Sequence, residues 1–343
     1  MPMKTQVRKE RNAGFDFLKY ICAFLIICIH TDFFGKSAVL LIARAAVPVF
    51  FMITGYFFST VVERGRQHQQ ISKILKITIL ANAVYLLWSL AISIGSVGET
   101  LRSWADISVW LKFLFLNLSP FRSHLWYLSA HLYVLIIACI LEKAGIRHKI
   151  YVLIPILLAI NLVLGNYSGL IFGTAIPLEY SRNFLLIGFP CFLLGDLLYQ
   201  RRNSRHPKNG TLVIVLIGSL ALSLAEVLLL TKLECYENQD FTLGNIFTAY
   251  AMFSLVGNNP TFFENSLCKK VAWMGTHLSL GIYIFNAIFR TVVEKIIEIV
   301  SGIVPLAETA SHYTMPLMML AIDSCIVYVW FWMRKKVTHR REK

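Results

Sequence analysis

The chain is poor in charge, and it lacks the patterns of metal and disulfide sites. Only 15% of its 343 residues are Asp, Glu, Lys or Arg, while 57% are hydrophobic; soluble domains average about a quarter charged. The seven cysteines include no Cys-x-x-Cys pair, so neither a zinc site nor a disulfide framework is indicated. We find no long linker and no internal repeat, which speaks against a transporter built from duplicated halves. The composition favours a protein dissolved in lipid.

Apolar runs of spanning length predict an all-α, polytopic membrane protein of about ten helices, forming one domain over residues 1–343. The first run is longer than a signal-peptide core and no small-residue cleavage site follows it, so we expect it to be retained. An interrupted apolar stretch at 104–118 is predicted to lie in the membrane interface. The predicted spans are 15–33, 38–59, 74–95, 124–142, 150–165, 183–200, 211–231, 241–257, 276–298 and 314–333.

Basic residues concentrate in alternate loops of this scheme. Most of the 33 Lys and Arg residues precede the first span, follow the even-numbered spans or close the chain. Cytoplasmic loops collect Lys and Arg, so we expect both termini in the cytoplasm, with tails at 1–13 and 334–343. The same asymmetry accounts for the net charge of +14. Anionic membrane lipids are its expected partners, and nucleic acid is not.

The first span contains ionisable groups that a bilayer disfavours, in the stretch GFDFLKYICAFLIICIH at 14–30. Lys19 and His30 are eleven residues apart, which places both on one helix face about 16 Å apart along the axis. Asp16 precedes Lys19 by three residues and shares that side. Ionisable groups inside spans usually face a cavity or a partner. We therefore expect Asp16, Lys19, His30 and Arg44 to line one cavity open to the cytoplasm.

Simpler interpretations exist for the single residues of this set. Lys19 near the cytoplasmic end is also what a snorkelling side chain at the membrane edge looks like. His30 is also compatible with a polar residue at the outer interface, bonded to a neighbouring helix. The set of four, rather than any one member, indicates a polar interior.

Five short stretches, taken in order, resemble the integral-membrane acyltransferase type 3 family. The opening stretch is similar to the family's first-helix signature, an Asp, a basic residue three positions on, and a His after ten intervening residues. Later family segments resemble RAAVPVFFMITGYFF (44–58), HLWYLSAHLY (124–133), RNFLLIGFPCFLLGDLLY (182–199) and SLGIYIFN (279–286). Two positions depart from the pattern: Lys19 stands where Arg is commoner, and Asn286 stands where many members have His. His277 is the candidate substitute for that His.

The resemblance implies a multi-pass protein of the bacterial cytoplasmic (inner) membrane. It implies an acyltransferase that moves an acyl group, often acetyl, from cytoplasmic acyl-CoA to a hydroxyl of a cell-surface glycan, a lipid-linked glycan or a related acceptor, as in polysaccharide O-acetylation. The alternative is a small-solute or glycan-precursor transporter of the same fold, because intramembrane charges also suit ion-coupled transport.

The catalytic candidates follow from this chemistry. His30 is the candidate general base, because the unperturbed pKa of His lies nearest to working pH. Arg44 and Lys19, with Asp16 beside it, are candidates to place positive charge against the thioester oxyanion or the phosphate arm of CoA. Asp32 is a candidate to orient His30, although residues two apart do not share a helix face.

Two further sets are candidates for substrate contacts. The acceptor side is expected to use His124, Trp126 and Tyr127, with interfacial anchoring as the alternative. His131, two turns after His124, makes a poor metal pair with it, and we predict no metal.

Arg290 and Glu294 are spaced to pair with each other. Further acids inside predicted spans are Asp196, Glu226 and Asp323. The CoA nucleotide is expected to bind on the cytoplasmic side, at Arg64, Arg66, Lys73, Arg201 and Arg202. The alternative for each of these residues is that it only sets the orientation of the neighbouring spans.

Overall fold

The computed structural model describes residues 12–235, 240–304 and 306–341. Helix accounts for 82% of the structure, and no strand occurs in these residues, which confirms the all-α prediction. The helices are α1 (Ala13–His30), α2 (Lys36–Ala43), α3 (Ala46–Glu63), α4 (Gln67–Ile92), α5 (Val97–Ala105), α6 (Ile107–Leu116), α7 (Trp126–Lys143), α8 (Leu153–Leu164), α9 (Ser168–Phe172), α10 (Phe189–Gln200), α11 (Asn209–Lys232), α12 (Leu243–Asn258), α13 (Ser266–His277), α14 (Ser279–Ser301) and α15 (Leu306–Arg341).

Six helical segments of the described chain are long and apolar enough to cross a membrane. Three more apolar helices are shorter: Ile107–Leu116, Leu153–Leu164 and Phe184–Gln200, the last including a π-helical turn. The count of ten spans and the orientation therefore stay predictions. The six segments are Ala13–His30, Lys36–Glu63, Gln67–Ile92, Ser123–Lys143, Asn209–Lys232 and Leu306–Arg334.

Several boundaries differ from those expected. The predicted span 38–59 is two helices, α2 and α3, because the helix is interrupted at Arg44 and Ala45. The stretch at 104–118 falls on α5 and α6, whose position at an interface stays a prediction. Helix α15 continues through the predicted C-terminal tail as far as Arg341. Residues 1–11 of the predicted N-terminal tail, and residues 342 and 343, lie outside the described residues.

Local signals set the limits of α1. Asn12 caps its start, because the side-chain oxygen accepts from the backbone N–H groups of Gly14 at 3.0 Å and Phe15 at 3.4 Å. Asp16 in the first turn places a negative charge at the positive end of the helix dipole. Thr31 has an extended backbone, with φ −98° and ψ 155°, and ends the helix after His30.

The chain forms two compact units. The first unit is Met1–Phe34 with Met252–Lys343, and the second unit is Gly35–Ala251. In the first unit α1 packs on α13 so closely that a Cβ at Gly275 would lie 1.8 Å from the carbonyl oxygen of Asp16. Glycine at 275 is therefore required for this helix contact. The apolar core of the first unit is built from Ala23, Ile27, Leu278, Ile282, Val293, Met315, Met319 and Val327.

In the second unit α3 and α10 cross with their backbones in contact. A Cβ at Gly55 would lie 1.9 Å from the carbonyl oxygen of Phe192, and one at Gly195 would lie 1.9 Å from that of Met52. Small residues permit such close helix packing in membranes. Both glycines belong to stretches that carry the family resemblance, so part of that resemblance consists of packing residues.

Candidate functional site

The first unit contains an ion pair on α1, in the half of that helix that we predict to lie toward the cytoplasm. Lys19 Nζ lies 2.9 Å from Asp16 Oδ1, and the two side chains are 29% and 10% exposed. This contact places them on one side of the helix, as their spacing predicts. Because α1 is continuous to residue 30, His30 lies on the same face about 16 Å further along the axis.

His30 is the exposed last residue of α1. Its carbonyl oxygen accepts a hydrogen bond from the guanidinium of Arg290 on α14. Arg290 Nε also lies 3.9 Å from Glu294 Oε1, so the predicted pair forms. A cation at a helix C-terminus interacts favourably with the helix dipole. Arg290 therefore helps to fix the position of His30 within the first unit.

A second polar contact of the first unit joins α14 to α15. Asn286 Nδ2 donates to Asp323 Oδ2 at 2.8 Å, and the Asp323 side chain is fully buried. Asp323 Oδ1 has no hydrogen-bond partner among the described residues. The neighbouring Ser324 Oγ lies 2.9 Å from the hydroxyl of Tyr20 on α1. The departure from the family pattern at Asn286 thus falls beside a buried acid, which was among the intramembrane acids noted in the sequence.

Arg44 lies in the second unit, at the break between α2 and α3. Its NH1 donates to the carbonyl oxygen of Asp240 at 2.7 Å. The backbone of Asp240 is in turn bracketed by Asn166, whose Nδ2 donates to the same carbonyl at 2.9 Å and whose Oδ1 accepts from the Asp240 N–H at 2.6 Å. The Asp240 carboxylate binds Arg182 NH2 at 3.0 Å and Ser181 Oγ at 3.1 Å.

A cavity of about 440 Å³ opens beside Arg44. Three buried polar residues, Ser223, Thr242 and Asn245, form part of its lining. More exposed residues from α2, from α11 and from the segment after α11 complete it. These are Ser37, Leu40, Leu41, Val227, Thr231 and Glu234.

A buried ionic network occupies the opposite end of α3. Arg147 NH1 lies 3.3 Å from Asp196 Oδ1, and Arg147 Nε lies 2.8 Å from Glu142 Oε2. Ser59 Oγ donates to Asp196 Oδ1 at 2.9 Å, and the Tyr151 hydroxyl donates to Asp196 Oδ2 at 2.8 Å. Arg147 follows the fourth predicted span, among the basic residues from which the orientation is predicted, and in the structure it is only 3% exposed.

Four of the five residues expected at the CoA nucleotide follow helix ends that lie at this same end of the second unit. The ends of α3 and α10 are joined because the Tyr199 hydroxyl donates to Glu63 Oε1 at 3.2 Å. Arg202 lies over the ring of Tyr199 at 3.9 Å. Arg64 and Arg66 follow α3, Arg201 and Arg202 follow α10, and Lys73 is in the second turn of α4; all five are exposed.

The three residues expected at the acceptor differ in their exposure. Tyr127 is buried against Phe51, with ring centroids 4.9 Å apart. His124 packs edge-on against Tyr85 at 4.8 Å. His124 and Trp126 are half-buried, so of the three only these two retain exposed surface.

The predicted catalytic residues are divided between the units. Asp16, Lys19 and His30 belong to the first unit, and Arg44 belongs to the second. The cavity expected to join all four therefore stays a prediction. Within the described ranges no group of three or more His, Cys, Asp or Glu residues is placed to hold a metal ion.

Comparison with known proteins identifies the family. The family model described as an acyltransferase domain matches residues 12–333, so the chain belongs to the acyltransferase type 3 family. The chain is 27% identical over 238 residues to a serine/alanine racemase of Enterococcus gallinarum, covering 62% of this chain and 32% of that protein. It is 24% identical over 270 residues to an amino-acid racemase of Enterococcus faecalis, covering 73% of this chain and 36% of that protein. The chain thus spans about a third of the length of these curated relatives. No solved structure matches it.

Proposed function

We propose that this protein is an O-acyltransferase embedded in a bacterial cytoplasmic membrane. It moves an acyl group, acetyl in the simplest case, from cytoplasmic acyl-CoA to a hydroxyl of a cell-surface or lipid-linked glycan. The observation that carries the proposal is the family match, which extends over residues 12–333. The six apolar helices of spanning length support the membrane setting.

His30 is the proposed general base. Its imidazole takes the proton of the acceptor hydroxyl as the oxygen attacks the thioester carbonyl carbon. The carbon–sulfur bond then breaks, and the CoA thiolate leaves with the proton returned from the imidazolium. The exposure of His30 supports this role, as does the contact from Arg290 that fixes its backbone.

Lys19 is the proposed cation on the donor side. Positive charge there stabilises the oxyanion that develops on the thioester or binds a phosphate of the CoA arm. Asp16 is a positioning residue for Lys19, because its carboxylate lies 2.9 Å from the ammonium group. Transport by the same fold is the second candidate, favoured by the fully buried Asp323, since acids inside spans are typical of ion-coupled carriers.

Purified protein in liposomes tests the two candidates. Radiolabelled acetyl-CoA is supplied on the cytoplasmic side, with membrane-bound glycan as acceptor, and label transfer is measured together with CoA release. His30→Ala should lower transfer by about 10²- to 10⁴-fold, the usual contribution of a general base. His312→Ala, an exposed histidine of the same unit, is the matched control and should leave transfer unchanged. Solute uptake without CoA release would contradict the acyltransferase proposal and support the transporter.

A further inference from the structure

A cavity of about 660 Å³ lies in the first unit, along α13. This volume is within the range of small-molecule sites. The lining residues on α13 recur every three or four positions, so they share one face of the helix. Cys268, Ala272 and Gly275 of the same helix are buried instead. The cavity is lined by Glu264, Ser266, Lys269, Lys270, Trp273 and Met274.

Trp273 is held in place at this cavity by other aromatic rings. His277 stacks on the indole with ring centroids 4.5 Å apart, and its Nδ1 lies 2.8 Å from the Trp273 carbonyl oxygen. Tyr328 and Phe331 of α15 contact the indole edge-on, each at 5.9 Å. The half-buried indole therefore offers a fixed aromatic surface to the cavity. Aromatic side chains that line a basic groove are surfaces on which nucleic-acid bases stack.

Two lysines give the cavity its positive charge. Lys269 and Lys270 are exposed, and neither side chain forms an ion pair or hydrogen bond with a residue that the structure describes. Ammonium groups bind phosphate as point charges. The acid of the lining, Glu264, is exposed and suited to accept a hydrogen bond from the exocyclic amine of a base. The lining thus combines phosphate-binding charge with an aromatic surface.

The cavity lies beside the start of α1. Phe263, just before the lining residues, contacts the ring of Phe17 at 5.2 Å, and Gly275, just after them, packs against the carbonyl of Asp16. Both contacts fall within the first two turns of α1, which also contain Lys19. In the predicted orientation this end of α1 is cytoplasmic, as is the segment between the eighth and ninth predicted spans. A ligand in the cavity therefore enters from the side on which acyl-CoA is found.

We propose that this cavity binds a nucleoside diphosphate, with the base on Trp273 and the phosphates at Lys269 and Lys270. In the proposed function this ligand is the nucleotide end of acyl-CoA, so naming it as the donor rests on that function. The nucleotide then binds in the first unit, which also contains Lys19 and His30. The headgroup of an anionic lipid shares the phosphate chemistry but carries no aromatic base.

Calorimetric titration of the purified full chain in phosphatidylcholine nanodiscs tests the site, with ADP, inorganic pyrophosphate and adenosine as probes. ADP should bind at least about tenfold more tightly than either, because pyrophosphate lacks the base and adenosine lacks the phosphates. Replacing both lysines, Lys269→Gln with Lys270→Gln, should weaken ADP binding by about 10- to 100-fold. Trp273→Leu should weaken it by about tenfold and leave pyrophosphate binding unchanged. Lys295→Gln, an exposed lysine of the same unit, is the matched control.

The outcomes separate this proposal from the proposed function. Equal affinity for ADP and pyrophosphate overturns the site, because a site for lipid headgroups recognises phosphate alone. Undiminished ADP binding in the double lysine variant overturns it too, as does a loss confined to Arg64→Gln with Arg201→Gln in the second unit. CoA should displace ADP, and failure to do so overturns the donor assignment. His30-dependent transfer without ADP binding overturns the site alone, whereas the expected ADP pattern without any CoA release upholds the site and overturns the enzyme.

Discussion

The two units surround a buried aspartate in different ways. In the second unit the carboxylate of Asp196 meets Arg147, Ser59 and Tyr151, and Arg147 has a second acid, Glu142. In the first unit the equally buried Asp323 accepts one hydrogen bond, from Asn286, and its second oxygen has no partner among the described residues. Each acid is a single charged residue in an apolar helix, so the sequence alone does not distinguish the two.

The difference indicates two uses of buried charge. A carboxylate with a full set of partners binds helices together and is costly to disturb, because removing it strands its partners. A carboxylate with an open oxygen adds little to stability and persists where function needs it. We therefore interpret the Asp196 network as scaffold and Asp323 as a functional group.

The largest effect should come from breaking the scaffold network. Asp196→Ala removes one of the two acids that contact the buried guanidinium of Arg147, and we expect the free energy of unfolding to fall by about 3–5 kcal/mol. Denaturant titration of the purified protein in micelles measures this. Glu298→Ala is the matched control, since its pair with Lys295 has side chains that are 69% and 65% exposed, and it should cost less than about 1 kcal/mol. Similar losses in both variants would contradict the scaffold interpretation.

Asp323→Asn should act in the opposite direction on stability. The substitution keeps the volume and removes a charge that burial penalises, so the free energy of unfolding should stay the same or rise by about 1 kcal/mol. Acyl transfer in the liposome assay should fall. Asp196→Asn, the same chemical change in the second unit, should instead lower stability because the buried guanidinium of Arg147 loses the charge of one of its two acid partners. A clear loss of stability in Asp323→Asn would contradict the interpretation that Asp323, unlike Asp196, is not part of the scaffold.

The smallest effect should come from a half-buried ion pair of the second unit. Lys112 Nζ lies 2.9 Å from Glu179 Oε1. Burial raises the pKa of Glu179, but the hydrogen bond from Lys112, a backbone hydrogen bond and the charge of Lys112 together hold that pKa below its ordinary value. A carboxyl group whose pKa is lowered by folding stabilises the folded state at pH values above its ordinary pKa of 4.5. This stabilisation is lost as the pH falls through the lowered pKa.

Carboxyl NMR titration should therefore show the pKa of Glu179 rising toward its ordinary value in Lys112→Ala. The stability difference between this variant and the unchanged protein should shrink below about pH 4.5. Arg102→Ala, an exposed cation on α5, is the control and should leave the titration of Glu179 unchanged. A pKa of Glu179 that does not move would show that the pair is not formed in solution.

Local features of the fold were predictable from the sequence. Helix α1 was expected at 15–33 and lies at Ala13–His30, because Asn12 caps it and the extended Thr31 ends it. The break at Arg44 was not predictable, since the apolar run continues across it. It coincides with a bond to Asp240, which is 196 residues further along the chain. The burial of Arg147 was not predictable for a related reason, because its partner Asp196 is 49 positions away along the chain.

The sequence by itself determined the all-helical architecture, the apolar segments and the Asp16–Lys19 pair. These depend on composition and on the 3.6-residue period of one helix, which any single segment reveals. Only the tertiary structure decided that Arg44 binds Asp240, that Arg147 binds Asp196 and that Asn286 binds Asp323. Each of these contacts joins distant parts of the chain, so it depends on which helices pack together, and close approaches such as that of Gly55 to Phe192 set that packing.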